Sequence, residues 1–482
     1  METAGKNEVK LALITLQNEG DRQPPFGLLY LATYLEKKIG FRSVKIIDKN
    51  FEDVIAGVKE YSPDLVGISA MTIHYEEASE RAKTVKEIFQ IPVIIGGVHI
   101  SLLPNSLRTC FDVGVIGEGE ETFKELVLLY QEKQKFNPAD LRKIKGIAFW
   151  DENGKIEMTA GREFIKNLDE IPPLDYKYID KRYFEPKPII GVGKLARRGW
   201  ILTSRGCPFR CRFCATSAFW GSGLTRFHSP QYIVSHIKYL KENFKIQHLL
   251  FCDDLFTLDR NRLKEIANLC EKENLLEGLT TTAQARANTI DDEMGEICRK
   301  LNIKILQFGF ESGSKKVLQW LKGPTASPET NLKAIETSLR YKIKVFGSLM
   351  MGVPEETLED MKETYEFIKK AVKKGAYLFL FVATPYPGGE FWEIAKKQKK
   401  VSEEMDFTKL SLYSCHNPLL LDEKVDKEKF AELFLKTSEL LKFQKYKMAW
   451  EILLNDPFGI ILIILKNPFF WAKRILLWLG KR

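Results

Sequence analysis

Short apolar runs alternate with helical stretches along the first part of the chain. The runs include VKLALITL, VKIID, DLVGIS, PVIIGG and VGVIGEG, and stretches such as EEASERAKTVKEIF separate them. Continuous apolar strands with intervening helices are typical of a parallel sheet covered on both faces. Residues 1–140 are therefore predicted to form a doubly wound, Rossmann-like α/β domain. The ligand of such a domain is expected at the carboxyl ends of the strands.

The alternation breaks off and later returns. Residues 141–195 contain GIAFWDENGKIEM, which predicts a hairpin, and then the proline-rich linker segments LDEIPPLDYKYI and FEPKPIIG. Residues 196–395 carry six further strand candidates separated by helical segments: WILTS, HLLFC, LTTTAQ, KILQFGF, VFGSLMMG and YLFLFVAT. Six such units predict a partial (β/α)6 barrel of the TIM type, with active-site residues on the loops that follow the strands.

The last segment, residues 396–482, is helical in pattern and ends in NDPFGIILIILKNPFFWAKRILLWLGKR. Its uncharged run from Pro457 to Leu465 is too short to span a bilayer. Aromatic and basic side chains are mixed in the residues after it, which favours a helix lying in the membrane interface. The alternative is a helix packed on the protein's own core. The first interpretation predicts peripheral attachment at the inner face of the membrane.

The amino-acid composition limits the classes of protein to which this chain can belong. The chain has 482 residues, of which 44% are hydrophobic and 28% are charged, and it carries a formal net charge of +9. The basic residues are scattered and do not interleave with aromatic residues in a strong cluster, so nucleic-acid binding is not expected. The sequence shows no signal-peptide pattern and no disulfide framework, which predicts a cytoplasmic protein.

Three of the 8 cysteines lie in one short segment, TSRGCPFRCRFC, directly after the first barrel strand. Structural zinc needs four ligands, and no second cysteine pair or His-x-His follows Cys207, Cys211 and Cys214. A disulfide would leave one thiol over. A [4Fe–4S] cluster held by three thiolates fits this spacing and leaves one iron free for a ligand. The remaining cysteines after this loop are expected to be buried core thiols: Cys252, Cys270, Cys298 and Cys415.

The Cx3CxxC segment, with Phe213 before its last cysteine, resembles the signature of radical S-adenosylmethionine enzymes. Further blocks follow in order along nearly the whole chain: LLFCDDLFTLDRNRLKEIA, LQFGFESGSKKVLQWLKGPT, MMGVPEETLEDM and ATPYPGGEFW. With QPPFGLLYLATYL, IPVIIGGVHISLLP and VGVIGEGEETFKELV they are similar to the branch that carries a cobalamin-binding domain. That branch includes the anaerobic magnesium-protoporphyrin cyclase and the class B methyltransferases. The chain departs from it at Glu355, where Gly is usual, and at Gly389, where Thr is usual.

The resemblance implies that the free iron of the cluster chelates S-adenosylmethionine. Phe213 would pack against adenine, unless it only packs the loop, and Arg286 would pair with a carboxylate. Asp253, or its neighbour Asp254, would hold the amine, unless both are cap or ion-pair residues; we assign the role to Asp253. The complete set predicted to bind S-adenosylmethionine is Phe213, Asp253, Arg286, Glu311, Ser312 and Gly352.

Cobalamin is the second cofactor that the resemblance implies. Its predicted contacts lie on the loops after the N-terminal strands: Ser69, Met71, Thr72, Gly96, Gly97, His99, Gly117, Gly119, Glu120 and Thr122. The Asp-x-His-x-x-Gly motif is absent, as is usual in this branch, which implies a base-off corrinoid without a histidine ligand. His99 is then a contact to the nucleotide tail or a plain helix-start residue. The alternative for the whole domain is a relic that no longer binds cobalamin.

The resemblance implies methylation of an unactivated carbon, through a 5′-deoxyadenosyl radical and methylcobalamin. The amphipathic, basic C-terminal tail predicts that the substrate is hydrophobic and lipid-like. A flavodoxin or ferredoxin is the expected electron donor, and no catalytic general base is assigned. The second hypothesis is a radical cyclase or carbon–carbon bond-forming enzyme acting on a lipid or a tetrapyrrole. The third is a non-catalytic iron–sulfur or corrinoid carrier.

Overall fold

The computed structural model describes residues 9–17, 23–221 and 223–457. Its N-terminal part is a seven-stranded sheet flanked by helices. The strands are β1 (Leu11–Thr15), β2 (Val44–Asp48), β3 (Leu65–Ser69), β4 (Val93–Gly96), β5 (Val113–Val115), β6 (Ile147–Trp150) and β7 (Ile156–Met158). The helices are α1 (Phe26–Ile39), α2 (Val54–Tyr61), α3 (Tyr75–Phe89), α4 (Val98–Leu102), α5 (Gly119–Lys133) and α6 (Pro138–Leu141).

This sheet has the strand order β2-β1-β3-β4-β5-β6-β7, and its first five strands are parallel. All five residues of β1 are buried, because helices cover both faces of a doubly wound sheet. The hairpin predicted in the linker region is β6 and β7. It pairs antiparallel with β5 and so extends the edge of the N-terminal sheet.

A short hairpin, β8 (Lys187–Ile189) and β9 (Lys194–Ala196), precedes a second parallel sheet. The strands that follow are β10 (Arg198–Ile201), β11 (Ser204–Gly206), β12 (Thr225–Phe227), β13 (His248–Phe251), β14 (Thr280–Ala285), β15 (Ile303–Glu311), β16 (Lys344–Met351) and β17 (Tyr377–Val382). The helices are α7 (Thr216–Trp220), α8 (Pro230–Phe244), α9 (Arg260–Lys272), α10 (Asp292–Lys300), α11 (Lys315–Lys322), α12 (Pro328–Arg340), α13 (Leu358–Lys374), α14 (Glu390–Lys397) and α15 (Lys427–Asn455).

The second sheet has the order β10-β13-β14-β15-β16-β17, with every pair parallel. Within the described ranges β10 and β17 are unpaired edges, so the barrel is partial. The six strands are those expected from the sequence, and the predicted α/β fold class is confirmed. β11 and β12 form a separate antiparallel pair, and the chain between them carries the three-cysteine loop.

The C-terminal region is less helical than its pattern predicts. Between α14 and α15 the chain is mostly turns, with a 3₁₀ turn at Phe407–Lys409. Phe407 packs edge-on against His99, and so ties this segment to the N-terminal domain. None of the helices in the described ranges has the length and apolar character needed to cross a bilayer. The predicted interfacial helix falls in residues 458–482, outside the described residues.

Candidate cofactor and active site

The three cysteines lie in the loop that leaves β11 and enters α7, and each is half-buried. Burial raises the pKa of the Cys207 and Cys214 thiols, and the neighbouring cysteines add to the effect. Arg286, after β14, places Nη1 3.2 Å from the Cys211 Sγ and its guanidinium 3.9 Å from the Phe209 ring centroid. A cationic donor beside a thiolate suits a cluster-bound sulfur. These three thiols, with Arg286 beside them, are the groups that would hold the [4Fe–4S] cluster expected from the sequence.

Two helix ends fix the backbone of this cysteine loop. The Arg212 amide donates to the carbonyl of Leu321 in α11, at 3.0 Å. The Arg212 carbonyl accepts from the Glu390 amide at the start of α14, at 2.6 Å. A Cβ on Gly389 would lie 2.7 Å from the Phe213 carbonyl oxygen, so glycine permits this close approach of α14 to the loop. The Phe213 ring packs 6.2 Å from that of Phe391; its predicted contact to adenine remains a prediction.

Glu311 ends β15 in a left-handed conformation, with φ of 65°, and is buried beside Lys322 of α11. Their charged atoms are 3.8 Å apart, and Lys322 Nζ also donates to the Gly309 carbonyl at 2.5 Å. Burial raises the pKa of Glu311 and lowers that of Lys322. Arg286 joins the group by donating to the Lys322 carbonyl at 2.9 Å. Lys322 was not predicted from the sequence, because a lysine in the last turn of a helix usually faces solvent.

The structure gives Asp253 partners inside the protein, and its role toward S-adenosylmethionine stays a prediction. Asp253 is buried, and its carboxylate accepts hydrogen bonds from the Thr203 amide at 2.9 Å and the Ser204 hydroxyl at 2.6 Å. These donors come from the chain just before the cysteine loop, so Asp253 braces that loop internally. Asp254 instead lines the cavity described below, and burial raises the pKa of its carboxyl.

Two other predicted S-adenosylmethionine contacts have internal partners. The Ser312 hydroxyl is fully buried, 3.1 Å from the Thr364 hydroxyl, and accepts from the Ser314 amide. Gly352 has φ of 82°, and its amide donates to the Glu356 carboxylate at 2.7 Å. Ser312 and Gly352 thus shape the loops at the strand ends. Glu356, which the sequence analysis did not single out, is buried, and burial raises its pKa to about 8.

A cavity of about 490 Å³ lies between the N-terminal strand ends and the start of the barrel. Seven of the predicted cobalamin contacts line it: Ser69, Met71, Gly96, Gly97, Gly117, Gly119 and Glu120. The barrel contributes the opposite wall: Ser204, Arg205, Ala215, Thr216, Phe219, Trp220, Cys252 and Asp254. Cys252 is thus half-buried at a cavity, not a core thiol, whereas Cys270, Cys298 and Cys415 are buried as expected.

The cavity floor suits the close approach of a large planar ligand. Gly117 has φ of 79°, and no atom lies within 4 Å of a Cβ built on it. Its backbone is therefore open to the cavity, as a glycine contact requires. Glycine is needed at position 97 for a different reason. A Cβ on Gly97 would lie 2.7 Å from the Ala70 carbonyl oxygen, so the packing of β3 against α4 already demands glycine. No histidine lines this cavity within the described ranges, and the residues present fit a corrinoid bound without a histidine ligand.

Three predicted cobalamin contacts do not reach the cavity: Thr72, His99 and Thr122. His99 is fully buried and stacks on Tyr75, with ring centroids 3.8 Å apart, and its Nε2 lies 3.0 Å from the Ser106 hydroxyl. Burial lowers its pKa to about 3, so the ring is neutral. Thr122 is buried, and its hydroxyl accepts from Arg162 at 2.8 Å. These side chains stabilise the domain from inside.

A buried ionic network joins the two walls of the cavity. Arg205, two residues before Cys207, donates to Glu118 at 2.6 Å and to Glu120 at 2.5 Å. Arg226 of β12 donates to the second oxygen of Glu118 at 2.9 Å. All four side chains are less than a tenth exposed. The Glu120 carboxylate is therefore paired with a residue of the barrel. The network fixes the cysteine loop relative to the N-terminal domain.

Comparison with known proteins agrees with this arrangement. The Radical SAM superfamily model matches residues 201–368, and the B12 binding domain model matches residues 13–127. An uncharacterized methyltransferase of Pyrococcus horikoshii is 33% identical over 78% of this chain and 79% of its own length. The anaerobic magnesium-protoporphyrin IX monomethyl ester cyclase of Rubrivivax gelatinosus is 27% identical, over 84% of this chain and 71% of its own.

A solved structure shares the fold. It is the radical S-adenosylmethionine methyltransferase TsrM from Kitasatospora setae, with cobalamin and a [4Fe–4S] cluster bound. The TM-score is 0.65 at 20% identity, covering 81% of this chain and 78% of that one.

A doubly wound domain that faces a three-cysteine loop across one cavity defines an enzyme of radical and corrinoid chemistry. The chain belongs to the cobalamin-dependent radical S-adenosylmethionine methyltransferase family. Its cofactors are a [4Fe–4S] cluster, S-adenosylmethionine and cobalamin, and it requires an electron donor and a substrate.

Proposed function

We propose that this enzyme methylates an unactivated carbon of a hydrophobic, lipid-like substrate. The observation that carries the proposal is the cavity shared by the two domains. Thr216 and Asp254 of the barrel and Gly117 of the N-terminal domain line one space, and Thr216 lies two residues beyond Cys214. Cofactors held on the two walls would therefore meet across it.

The chain's own residues bind the cofactors and orient them. When bound, the cofactors supply the substrate radical and the methyl group. We assign the cluster to Cys207, Cys211 and Cys214, with Arg286 donating to the Cys211 sulfur. We assign Asp254, Glu311 and Lys322 to the binding of S-adenosylmethionine, together with Phe213 of the cysteine loop. The aromatic side chains of Phe219 and Trp220 line the cavity, and in the proposed complex they would shield its contents from water.

The test is a product mass measurement without oxygen. The protein is reconstituted with iron, sulfide and hydroxocobalamin, and receives reduced flavodoxin or ferredoxin, S-adenosylmethionine with a deuterated methyl group, and a lipid extract. We expect a lipid product that has gained one labelled methyl group. Cys214→Ala should abolish it, whereas Cys415→Ala, a buried cysteine outside the loop, should retain it. Deoxyadenosine without any labelled product would contradict methylation.

Cyclisation or carbon–carbon coupling is the second candidate, and the similarity to the Rubrivivax gelatinosus cyclase favours it. The same experiment separates the two reactions, because a cyclised product carries no additional methylene unit. Tetrapyrrole and lipid extracts are therefore both offered. Loss of cobalt from the purified protein, with iron retained, would point to this second reaction.

A hydrophobic substrate would reach the enzyme most directly from a membrane surface. We propose that the C-terminal tail, rich in aromatic and basic residues, attaches the protein to the inner face of the membrane. Flotation with anionic vesicles tests this: the full chain should float, and the chain lacking residues 457–482 should not. If the truncated chain floats equally well, the tail is not the attachment.

A further inference from the structure

A second cavity, of about 860 Å³, lies inside the partial barrel. It faces the lumen side of the sheet, because Ile305, Gln307 and Gly309 of β15 line it while Leu306 packs in the core with the helices. Arg198 and His248, the first residues of β10 and β13, line one end of it, which we call the lower end. The cavity therefore extends toward the end of the barrel opposite to the cysteine loop.

One wall of this lumen is apolar and aromatic. β16 and β17 contribute Phe346, Phe379 and Phe381, and the Phe346 and Phe379 rings stack with centroids 6.1 Å apart. Helix α15 closes the same side with Met448 and Ile452. No acidic side chain lines the lumen in the part of the chain that is described. Such a wall suits a hydrocarbon chain and disfavours a cation.

The facing wall carries a pair of carboxamides. Gln284 of β14 and Gln307 of β15 are direct neighbours in the strand register and both line the lumen. Across the described ranges, neither side chain has a hydrogen-bond partner in the protein. The His248 side chain, in contrast, has partners within the protein, because its two ring nitrogens lie within 3.0 Å of the Thr280 and Thr282 hydroxyls. Gln284 is exposed and Gln307 is half-buried, so both amides are open to a ligand. With Arg198 and Ser348, the amide pair is part of the polar lining that a ligand in the lumen would meet.

The upper end of the lumen approaches the cysteine loop. Gly309 lines the lumen, and its carbonyl accepts from Lys322 Nζ. Lys322 is bonded in turn to Arg286, which contacts Cys211. A molecule that filled the lumen would thus present its upper end to the ionic group beside the cluster site.

The lower end opens onto apolar surface. Ile190 and Phe379, which line the lumen, are 50% and 39% exposed. On α15, which walls the lumen with Met448 and Ile452, Phe443 and Trp450 are 74% and 60% exposed. The outer side of the helix thus carries large apolar side chains among charged ones such as Lys442 and Lys447, which is unusual for a surface helix.

We propose that this lumen is the binding site for the hydrocarbon chain of an amphiphilic substrate. The apolar wall packs against the chain, and the Gln284–Gln307 pair binds an uncharged polar group on it, such as a hydroxyl or an ester carbonyl. The inference rests on the proposed function, because it supplies the site for the hydrophobic substrate assumed there.

The first test is fluorescence titration of the full-length holoprotein with pyrene-labelled hexadecanol, without S-adenosylmethionine. Ser348 faces the lumen from β16, so Ser348→Phe fills the space and should weaken binding at least about tenfold. Ser235→Phe, on the exposed side of α8, is the matched control and should bind as the wild type does. Thermal unfolding and iron content confirm that both variants are folded. Equal affinity in folded Ser348→Phe overturns the proposal.

The second test addresses the amide pair. Gln307→Leu should weaken the alcohol probe while leaving pyrene-labelled hexadecane unchanged or bound more tightly. Gln231→Leu, at an exposed position of α8, should alter neither affinity. Equal affinity of Gln307→Leu and wild type for the alcohol would remove the pair from the proposal. Failure of methylation itself is distinguishable, because wild-type protein would then bind the probes and yield no methylated product.

Discussion

Glu355 holds a left-handed backbone conformation, with φ of 64°, in the loop after β16. A side chain at positive φ costs free energy that glycine avoids. Glu355→Gly should raise the free energy of unfolding by about 0.5–1 kcal/mol. The check is chemical denaturation of the apoprotein. Glu363→Gly, on the exposed side of α13, should instead lose about 1 kcal/mol; two losses would contradict the strain argument.

Glu356, the next residue, ties its carboxyl to the Gly352 and Val353 amides inside the protein. Burial raises its pKa from 4.5 to about 8. The folded state then holds a proton that the unfolded state releases above the ordinary pKa, so stability falls as pH rises through this window. The slope contributed is at most about 1.4 kcal/mol per pH unit.

Glu356→Gln should flatten this slope between about pH 5 and pH 8, since the amide does not titrate. The measurement is the free energy of unfolding of the apoprotein across that range. Glu363→Gln, an exposed change, should keep the wild-type slope. A slope unchanged in Glu356→Gln would show that another group titrates there.

At the scale of elements, the start of α14 sets the position of the cysteine loop. A Cβ on Gly389 would meet the Phe213 carbonyl oxygen at 2.7 Å, and overpacking of this kind costs about 1–3 kcal/mol. Gly389→Ala should therefore displace the loop and lower the iron bound per chain after reconstitution. Gly161→Ala has open space around its Cβ and is expected to load iron normally. Normal loading in both variants would show that the loop adapts.

At the scale of the whole molecule, the Arg205–Glu118–Arg226 network joins the N-terminal domain to the barrel. Removing one member of a buried ionic group leaves charges unpaired, at a cost of about 3–5 kcal/mol. Glu118→Gln should therefore loosen the two domains and weaken cobalamin retention. Limited proteolysis in the linker and cobalt content after gel filtration measure both effects. Glu157→Gln breaks only an exposed pair with Arg142 and should be close to neutral.

The sequence by itself determined the two α/β parts and the loop that carries the three cysteines. Continuous apolar strands such as β1 and the six barrel strands leave a helix-covered parallel sheet as the consistent arrangement. Cys207, Cys211 and Cys214 are close in sequence, so one short loop brings them together whatever the rest of the chain does. Seven of the ten residues predicted to contact cobalamin line the cavity, because they lie at or beside the carboxyl ends of the parallel strands.

Only the tertiary structure decided which neighbouring side chain faces a cavity and which faces the interior. Asp253 and Asp254 are chemically identical in sequence, and only the fold turns one to the Thr203 amide and the other to the cavity. Lys322 meets Glu311, and Arg205 meets Glu118, through pairings that no local pattern encodes. Burial and long-range pairing depend on how separate elements pack, and this is the physical reason that they emerge only when the chain is folded.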